Sequence, residues 1–298
     1  MNYKHASRSN RLFHALTGIS VCEFHQLAPV FEGVWSEYQS THLVSRKRKV
    51  GGGRIGSLPT AEDKLFFILW YAKTYPTYDL AGFYLGIVHT KAYRWVTLLT
   101  PILEKVLKRT LHLPPRRIAT PEEFERLYPG VREVFIDGIE RSIQRSKDTR
   151  IQRRNYSGKK KTHTRTSVIR ADFSARILAL PPQKQGRRHE KRLLEKAGLL
   201  SSISPEVELY ADTGFQGVQK THAHCYIPSK GSKKQPLTPE QKTHNRHISS
   251  LRVVVEHAIG AVKRYRWVAD RLRTHIPGRD DQYMRISAGL WNFHLSMR

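Results

Sequence analysis

The sequence predicts an α/β protein, a mixed sheet domain flanked by helices and preceded by an all-α region. Three observations predict it. Residues 57–113 carry only the 3.6-residue apolar period of helices. Beyond Leu113-Pro114-Pro115-Arg116-Arg117 the pattern changes to short alternating segments. Those strands are then followed by helices, and one strand arrives after a crossover helix, which is the order of an α/β or α+β sheet.

The elements follow in chain order. Residues 1–56 hold an amphipathic stretch (Val21, Phe24, Leu27, Val30, Phe31, Val34, Trp35) and then a basic, glycine-rich linker, RKRKVGGGRIG, over 46–56. In residues 57–113, Thr60 before Ala61-Glu62-Asp63 starts a helix with acidic residues in its first turn, and Leu65, Ile68, Leu69 and Ala72 lie on one side. Thr77 caps a second, short helix that stops at Gly86, and His89 or Thr90 opens a longer one through Val106. A helix, a short helix, a tight turn and a third helix form the helix-turn-helix pattern, with Lys91, Tyr93 and Arg94 placed to face a major groove. The plainer account is a three-helix bundle with a basic surface. Residues 114–298 form the sheet domain, with strands at 133–136, 142–145, 162–170, 177–180 and 207–211. A helix runs through Leu193-Leu194 and a strong one spans about 249–266.

Composition narrows the function classes. A hydrophobic fraction of 39% permits a real core. Lys+Arg number 52 against 25 Asp+Glu, a formal net charge of +27. Self-repulsion on that scale favours a polyanionic partner, and nucleic acid fits because each neutralised phosphate releases a counterion. An acidic membrane surface is the alternative. Phe66 to Ala72, the longest apolar stretch, is far short of the roughly 20 residues a spanning helix needs. Met1 to Phe13 lacks an apolar core for a secretory signal. Cys22 and Cys225 are too far apart in sequence for a Cys-x-x-Cys pair. These features predict a soluble protein of the reducing cytoplasm, associated with the nucleoid, with no membrane partner.

In so basic a chain the carboxylates are informative. Asp137 and Asp212 each close an apolar strand and precede a glycine-containing turn, the place where open sheets bind ligands. Asp-Gly is also a common plain turn. Glu256 lies inside the strong helix; with Arg252 and Lys263 it falls within an arc of about 40°, beside the apolar arc of Val255, Ile259 and Val262. An Arg252–Glu256 pair at i,i+4 would account for it at about 0.3–0.5 kcal/mol. Three converging carboxylates, however, require a cation. Hard oxygen donors suit Mg²⁺ or Mn²⁺, and two such ions about 4 Å apart serve in-line phosphoryl displacement.

At these residues the chain resembles the DDE transposases of bacterial insertion sequences, in the branch related to Harbinger elements. The resemblance covers about residues 57–295. It rests on Val134-Phe135-Ile136-Asp137-Gly138-Ile139-Glu140-Arg141-Ser142-Ile143, on Tyr156-Ser157-Gly158-Lys159-Lys160-Lys161-Thr162-His163-Thr164, and on Ala211-Asp212-Thr213-Gly214-Phe215-Gln216-Gly217. The last motif is Asn245-Arg246-His247-Ile248-Ser249 followed by Arg252, Glu256 and Lys263. The resemblance implies an RNase H-like fold whose metal ligands are Asp137, Asp212 and Glu256, holding two Mg²⁺ or Mn²⁺ ions. It implies that Arg252 and Lys263 contact DNA near the scissile phosphate. It also implies hydrolysis at the ends of an element and attack of the freed 3′-hydroxyl on target DNA. The helix-turn-helix would read terminal inverted repeats, and pairing two ends implies a homodimer or larger assembly. Ser249 stands where relatives often carry Tyr, and His189-Glu190 where many have His-Asp.

The run from Arg141 to Arg165 is dense in Lys and Arg. Tyr156 and Gly158 interrupt it, which predicts a loop close to the DNA backbone with Lys159, Lys160, Lys161 and His163 as contacts. His222, His224 and Cys225 lack a partner pair at zinc-finger spacing, and the histidines are expected to be solvent-exposed or DNA-facing. Gly51-Gly52-Gly53 lacks the strand and Gly-Lys-Ser/Thr ending of a phosphate loop. Two other functions remain open: a DNA-binding regulator that has lost catalysis, and a host endonuclease that cuts without joining.

Overall fold

The structure is a computed structural model that describes residues 3–42, 56–196, 198, 200–232 and 235–298, with residues 190 and 196 described by backbone only. The linker over 46–55, Gly51-Gly52-Gly53 included, lies outside the described residues. The chain divides into two units. One comprises residues 1–113, 264–270 and 282–298; the other comprises 114–263 and 271–281.

The first unit is helical. It contains α1 (Tyr3–Ala6), α2 (Asn10–Thr17), α3 (Val21–His42), α4 (Ala61–Thr74), α5 (Tyr78–Leu85) and α6 (His89–Arg109). Thr60 and Asp63 form a reciprocal capping box at the start of α4, as the sequence predicts. The expected one-sided apolar face is wider in fact. Every residue from Lys64 to Ala72 is buried, because α2, α3, α6 and the short helix 266–269 all pack around α4. The one cation in that span, Lys64, is satisfied by the carbonyls of Leu58 (2.7 Å), Pro59 (3.2 Å) and Thr60 (3.0 Å), with the rings of Trp35 and Trp95 beside it. Tyr75, in the left-handed conformation, ends α4, and Thr77 caps α5 through the Leu80 N–H.

The turn between α5 and α6 depends on glycine. A Cβ on Gly82 would lie 2.6 Å from the Ile87 carbonyl oxygen, so only glycine lets the turn fold back this tightly. Residues 264–270 and 282–298 complete this unit. Trp267 stacks on Tyr283 with ring centroids 4.1 Å apart and donates to the Ser287 hydroxyl at 2.8 Å.

The second unit is built on a seven-stranded mixed sheet. Its strands are β1 (Glu133–Ser142), β2 (Tyr156–Ser157), β3 (Thr162–Ala171), β4 (Ile177–Ala179), β5 (Lys184–Gln185), β6 (Glu208–Ala211) and β7 (Cys225–Tyr226). The strand path is β2-β3-β1-β6-β7, with β4 and β5 also pairing β3. β1 is antiparallel to β3 but parallel to β6, and β6 is parallel to β7. Helices α7 (Pro121–Leu127), α8 (Thr149–Asn155), α9 (Glu190–Lys196) and α10 (Pro239–Lys263) belong to this unit. Two further helices, α11 (Arg266–Ala269) and α12 (Arg279–Ser296), close the chain. A mixed curled sheet flanked by helices, after a helical region, is the RNase H-like arrangement expected. No described helix is long and apolar enough to cross a membrane.

Val134, Ile136, Leu209 and Ala211 enter one apolar cluster with Phe124, Leu178, Leu194 and Phe215. On the opposite face Phe135 stacks on Tyr210, and Tyr210 on Tyr226. The expected strand 133–136 runs on to Ser142: β1 passes through Asp137-Gly138 without turning, because β3 pairs it continuously from Phe135 to Ser142. Of the expected strand 142–145 only Ser142 lies in β1, and Ile143 makes an isolated bridge to Leu272. The strong helix starts at Pro239, ten residues before the expected 249, and stops at Lys263.

Candidate active site

The register of the sheet explains why two aspartates meet. The parallel ladder of β1 and β6 ends at Ile136 opposite Ala211. Asp137 and Asp212 are each the next residue, so they emerge side by side from strands about 4.8 Å apart. Both share the face of Phe135 and Tyr210, since side chains alternate along a strand. Asp137 therefore does not end its strand, as the Asp-Gly pair suggested. It stands where the parallel partner stops and only β3 continues beside it.

The two carboxylates are held alike. Oδ1 of Asp137 accepts the Gly138 N–H at 2.7 Å, and Oδ1 of Asp212 accepts the Thr213 N–H at 2.7 Å. Arg252, from α10, lies between them. Its guanidinium donates to Asp137 Oδ2 at 3.3 Å and stands 3.7 Å from Asp212 Oδ1, with only 9% of the side chain exposed. Burial raises the Asp137 pKa, and Asp212 acts in the same direction; Arg252, the Gly138 N–H and Lys159 oppose them without cancelling the shift.

Lys263 is a further cation of this neighbourhood. Loss of water around its ammonium lowers its pKa, with Lys160 acting in the same sense and Glu140 and Asp137 against. So Asp137, Asp212, Arg252, Lys159, Lys160 and Lys263 share one electrostatic environment.

Glu256 behaves differently. It is exposed on α10, one turn beyond Arg252, and makes no ion pair or hydrogen bond among the described residues. The alternative i,i+4 pair with Arg252 does not form, because Arg252 turns to the aspartates instead. Among the described residues no group of three or more His, Cys, Asp or Glu side chains is placed to hold a metal ion. The donor chemistry of the Asp137–Asp212 pair nonetheless fits a hard cation, since two carboxylates on neighbouring strands already draw a guanidinium between them.

Several other expected residues are now placed. Lys91, Tyr93 and Arg94 are exposed on the first turns of α6, while Ala92 and Val96 between and after them are buried. Lys159, Lys160 and Lys161 are exposed in the turn between β2 and β3, and His163 packs edge-on to Tyr156. A Cβ on Gly158 would meet nothing within 4 Å, so protein packing does not require that glycine.

The basic run is not wholly a loop. Arg141 is buried in β1, where it donates to the Asp280 carbonyl at 3.3 Å, and Arg165 in β3 pairs with the Asp280 carboxylate at 3.0 Å. Both are committed to the sheet unit. His222 also departs from expectation: it is buried, its Nε2 lies 2.6 Å from the Val207 carbonyl, and it braces the start of β6. Cys225 is buried in β7. Sequence reasoning gave Asn245 no role, yet its side chain clips the backbone of Ser229 through both N–H (2.7 Å) and C=O (2.9 Å), tying the preceding loop to α10.

A sheet bearing paired aspartates where its central parallel ladder ends, in a chain that also carries a helix-turn-helix, defines a class. Residues 136–292 match the DDE superfamily endonuclease family, and residues 56–109 match the helix-turn-helix of DDE superfamily endonuclease. The chain belongs to the DDE superfamily endonucleases, enzymes that generally use divalent metals. It is similar to the probable transposase for insertion sequence element IS702 of Microchaete diplosiphon, 27% identical over 289 residues that cover 97% of this chain and 96% of that protein. No solved structure matches it significantly.

Proposed function

We propose that this chain is a transposase. It holds the inverted-repeat ends of an insertion sequence, hydrolyses a phosphodiester at each end and joins the freed 3′-hydroxyl to target DNA. It acts at the nucleoid as a homodimer or larger assembly that pairs two ends. The observation that carries the reading is the emergence of Asp137 and Asp212 from matching rungs of neighbouring strands, where their charge draws in Arg252.

Asp137 and Asp212 are the residues to hold Mg²⁺ or Mn²⁺. Glu256, about 6 Å along α10 from Arg252, supplies the third carboxylate. Two such ions, when bound, activate the attacking oxygen and stabilise the leaving one. The protein's own part is positioning. Gly138 and Thr213 N–H groups fix one oxygen of each aspartate, and Arg252 holds the other oxygen of Asp137. Arg252, Lys263 and Lys160 supply positive charge at the place where a phosphate would sit, and the turn carrying Lys159 and Lys161, with His163 at the start of β3, grips the adjoining backbone. Lys91, Tyr93 and Arg94 read the ends in the major groove, a role supported by their exposure on α6.

The test is incubation of the purified protein with labelled DNA carrying the element's ends and Mg²⁺. Cutting followed by joining is expected, and Asp137→Ala, Asp212→Ala and Glu256→Ala should each abolish both while end binding persists. Binding without cutting would make the chain a DNA-binding regulator; cutting without joining would make it an endonuclease. Unimpaired cleavage by Glu256→Ala would remove that residue from the ligand set.

A further inference from the structure

Three clefts of the sheet unit adjoin one another through shared arginines. The first, about 640 Å³, is lined by Arg145, Gln152, Arg153, Tyr156, His163 and Arg187. The second, about 600 Å³, is lined by Arg154, Gln185, Arg187, Arg188, His189 and Arg192. The third, about 530 Å³, brings Arg188 together with Arg116, Arg117 and Lys184. Arg187 joins the first to the second, and Arg188 joins the second to the third. Among the described residues only one carboxylate, Glu195, lines any of them, so the surface is a continuous basic channel.

Two features mark it as a built surface rather than a scatter of solvated charge. Arg153, Arg154, Arg187, Arg188 and Arg192 are all exposed, and among the described residues none of the five forms an ion pair. Five guanidiniums left unneutralised beside one another repel, a cost that a bound polyanion reverses. The backbone beneath them is also fixed. The Gly186 N–H donates to the Thr164 carbonyl at 3.0 Å, and the Arg187 N–H to the Arg154 carbonyl at 3.2 Å. A Cβ on Gly186 would lie 2.0 Å from Thr164 Oγ1, so glycine alone lets this loop press onto β3.

The channel is distinct from the paired aspartates. β2 and β5 lie on the edge of β3 away from β1, the strand that carries Asp137. Asp137 pairs with Ile169 whereas Gln185 pairs with Arg165, four residues or about 13 Å further along β3. Duplex DNA presents one negative charge per roughly 1.7 Å of axis, so a duplex held at the aspartates extends past them in both directions. We propose that this channel is a second track for duplex DNA, which grips the phosphate backbone on one side of the bond that is cut and reads no sequence. The proposal rests on the reading of the chain as a DNA-cutting enzyme. It assigns phosphate contacts to Arg187, Arg188 and Arg192, which belong to none of the sequence motifs.

The experiment measures affinity of the full chain for a random-sequence duplex across a salt series, with Ca²⁺ in place of Mg²⁺ to suppress cleavage. For the triple variant Arg187→Ala, Arg188→Ala, Arg192→Ala the slope of log K against log salt should flatten by about 2–3, at roughly 0.9 per lost phosphate contact. The triple Lys variant should keep the wild-type slope, because charge and not shape carries the contact. Arg153→Gln with Arg192→Gln, two exposed positions, should flatten it by about 2 and serves if the triple variant misfolds. An unchanged slope in a variant with wild-type melting would overturn the track. So would a loss confined to single-stranded RNA or to anionic phosphatidylserine vesicles. If the wild type cuts element ends while the variants keep its slope, only the track falls; if the wild type neither binds nor cuts DNA, the underlying functional reading falls first.

Discussion

Replacing Arg252 tests the account of the aspartate pair most directly. Its guanidinium is the group now countering both carboxylates, at 3.3 and 3.7 Å. At an effective dielectric of about 20, each contact represents roughly 4–5 kcal/mol of gross attraction. Desolvation of the guanidinium offsets much of that, and breaking a buried pair by removing one partner costs about 3–5 kcal/mol. Asp137 is 20% exposed and Asp212 37%, so solvent screens part of the loss, and about 2–3 kcal/mol is the figure for Arg252→Met without metal. For a unit of this size that lowers Tm by roughly 4–12 °C. The assay is thermal unfolding in EDTA, repeated across a Mn²⁺ titration. A divalent cation should recover more stability in the variant than in the wild type, because it takes over the countercharge that Arg252 supplied. Equal Tm values in EDTA, or Mn²⁺ stabilising both proteins alike, would show that the carboxylates do not depend on a cation between them.

Other expectations follow from single contacts. Glu23 is buried, which by itself raises its pKa. The Ser20 backbone N–H and the His294 side chain together reverse this and leave the value below its usual 4.5. A depressed carboxylate pKa contributes stability above the unfolded value and loses it as pH falls through the folded one. Wild type should therefore lose stability relative to Glu23→Gln in acid melts below about pH 4.5; parallel curves would refute it. Gly82→Ala forces a Cβ to within 2.6 Å of the Ile87 oxygen and should cost about 1–3 kcal/mol in urea unfolding, with weaker binding to element ends. Lys91→Ala with Arg94→Ala should abolish preference for the ends over random DNA while metal-dependent nicking of random DNA persists, as read by competition binding. His222→Ala should cost about 1–3 kcal/mol through the unpaired Val207 carbonyl, and zinc chelators should leave wild-type melting unchanged.

Much of the fold was legible because local signals agreed with the outcome. Thr60 with Asp63, Thr77 and Gly86 mark the helical boundaries where they occur. The apolar runs at 133–136 and 207–211 become the central parallel pair. What stayed hidden depended on pairing partners. Asp137-Gly138 reads as a turn unless one knows that β3 runs alongside it. The helical arc placed Arg252 and Glu256 on one cationic seam, but which of them meets the aspartates is decided by how α10 lies over β1, β3 and β6. α4 looked one-sided because its wrapping helices come from both ends of the sequence. The basic channel escaped notice for the same reason, since Arg116, Arg153 and Arg187 are distant in sequence and are joined only by strand order.

The return of residues 264–270 and 282–298 to the helical unit bears on how this protein can be dissected. A break at Pro114 looks like a natural seam, yet an amino-terminal fragment would lack Trp267 and Tyr283 and leave one flank of the buried helix α4 wet. The complementary fragment would carry those aromatics with nothing to bury them. Such halves should be insoluble or molten when expressed singly and recover when produced together, so that loss of activity on truncation reports a broken core and not a missing function.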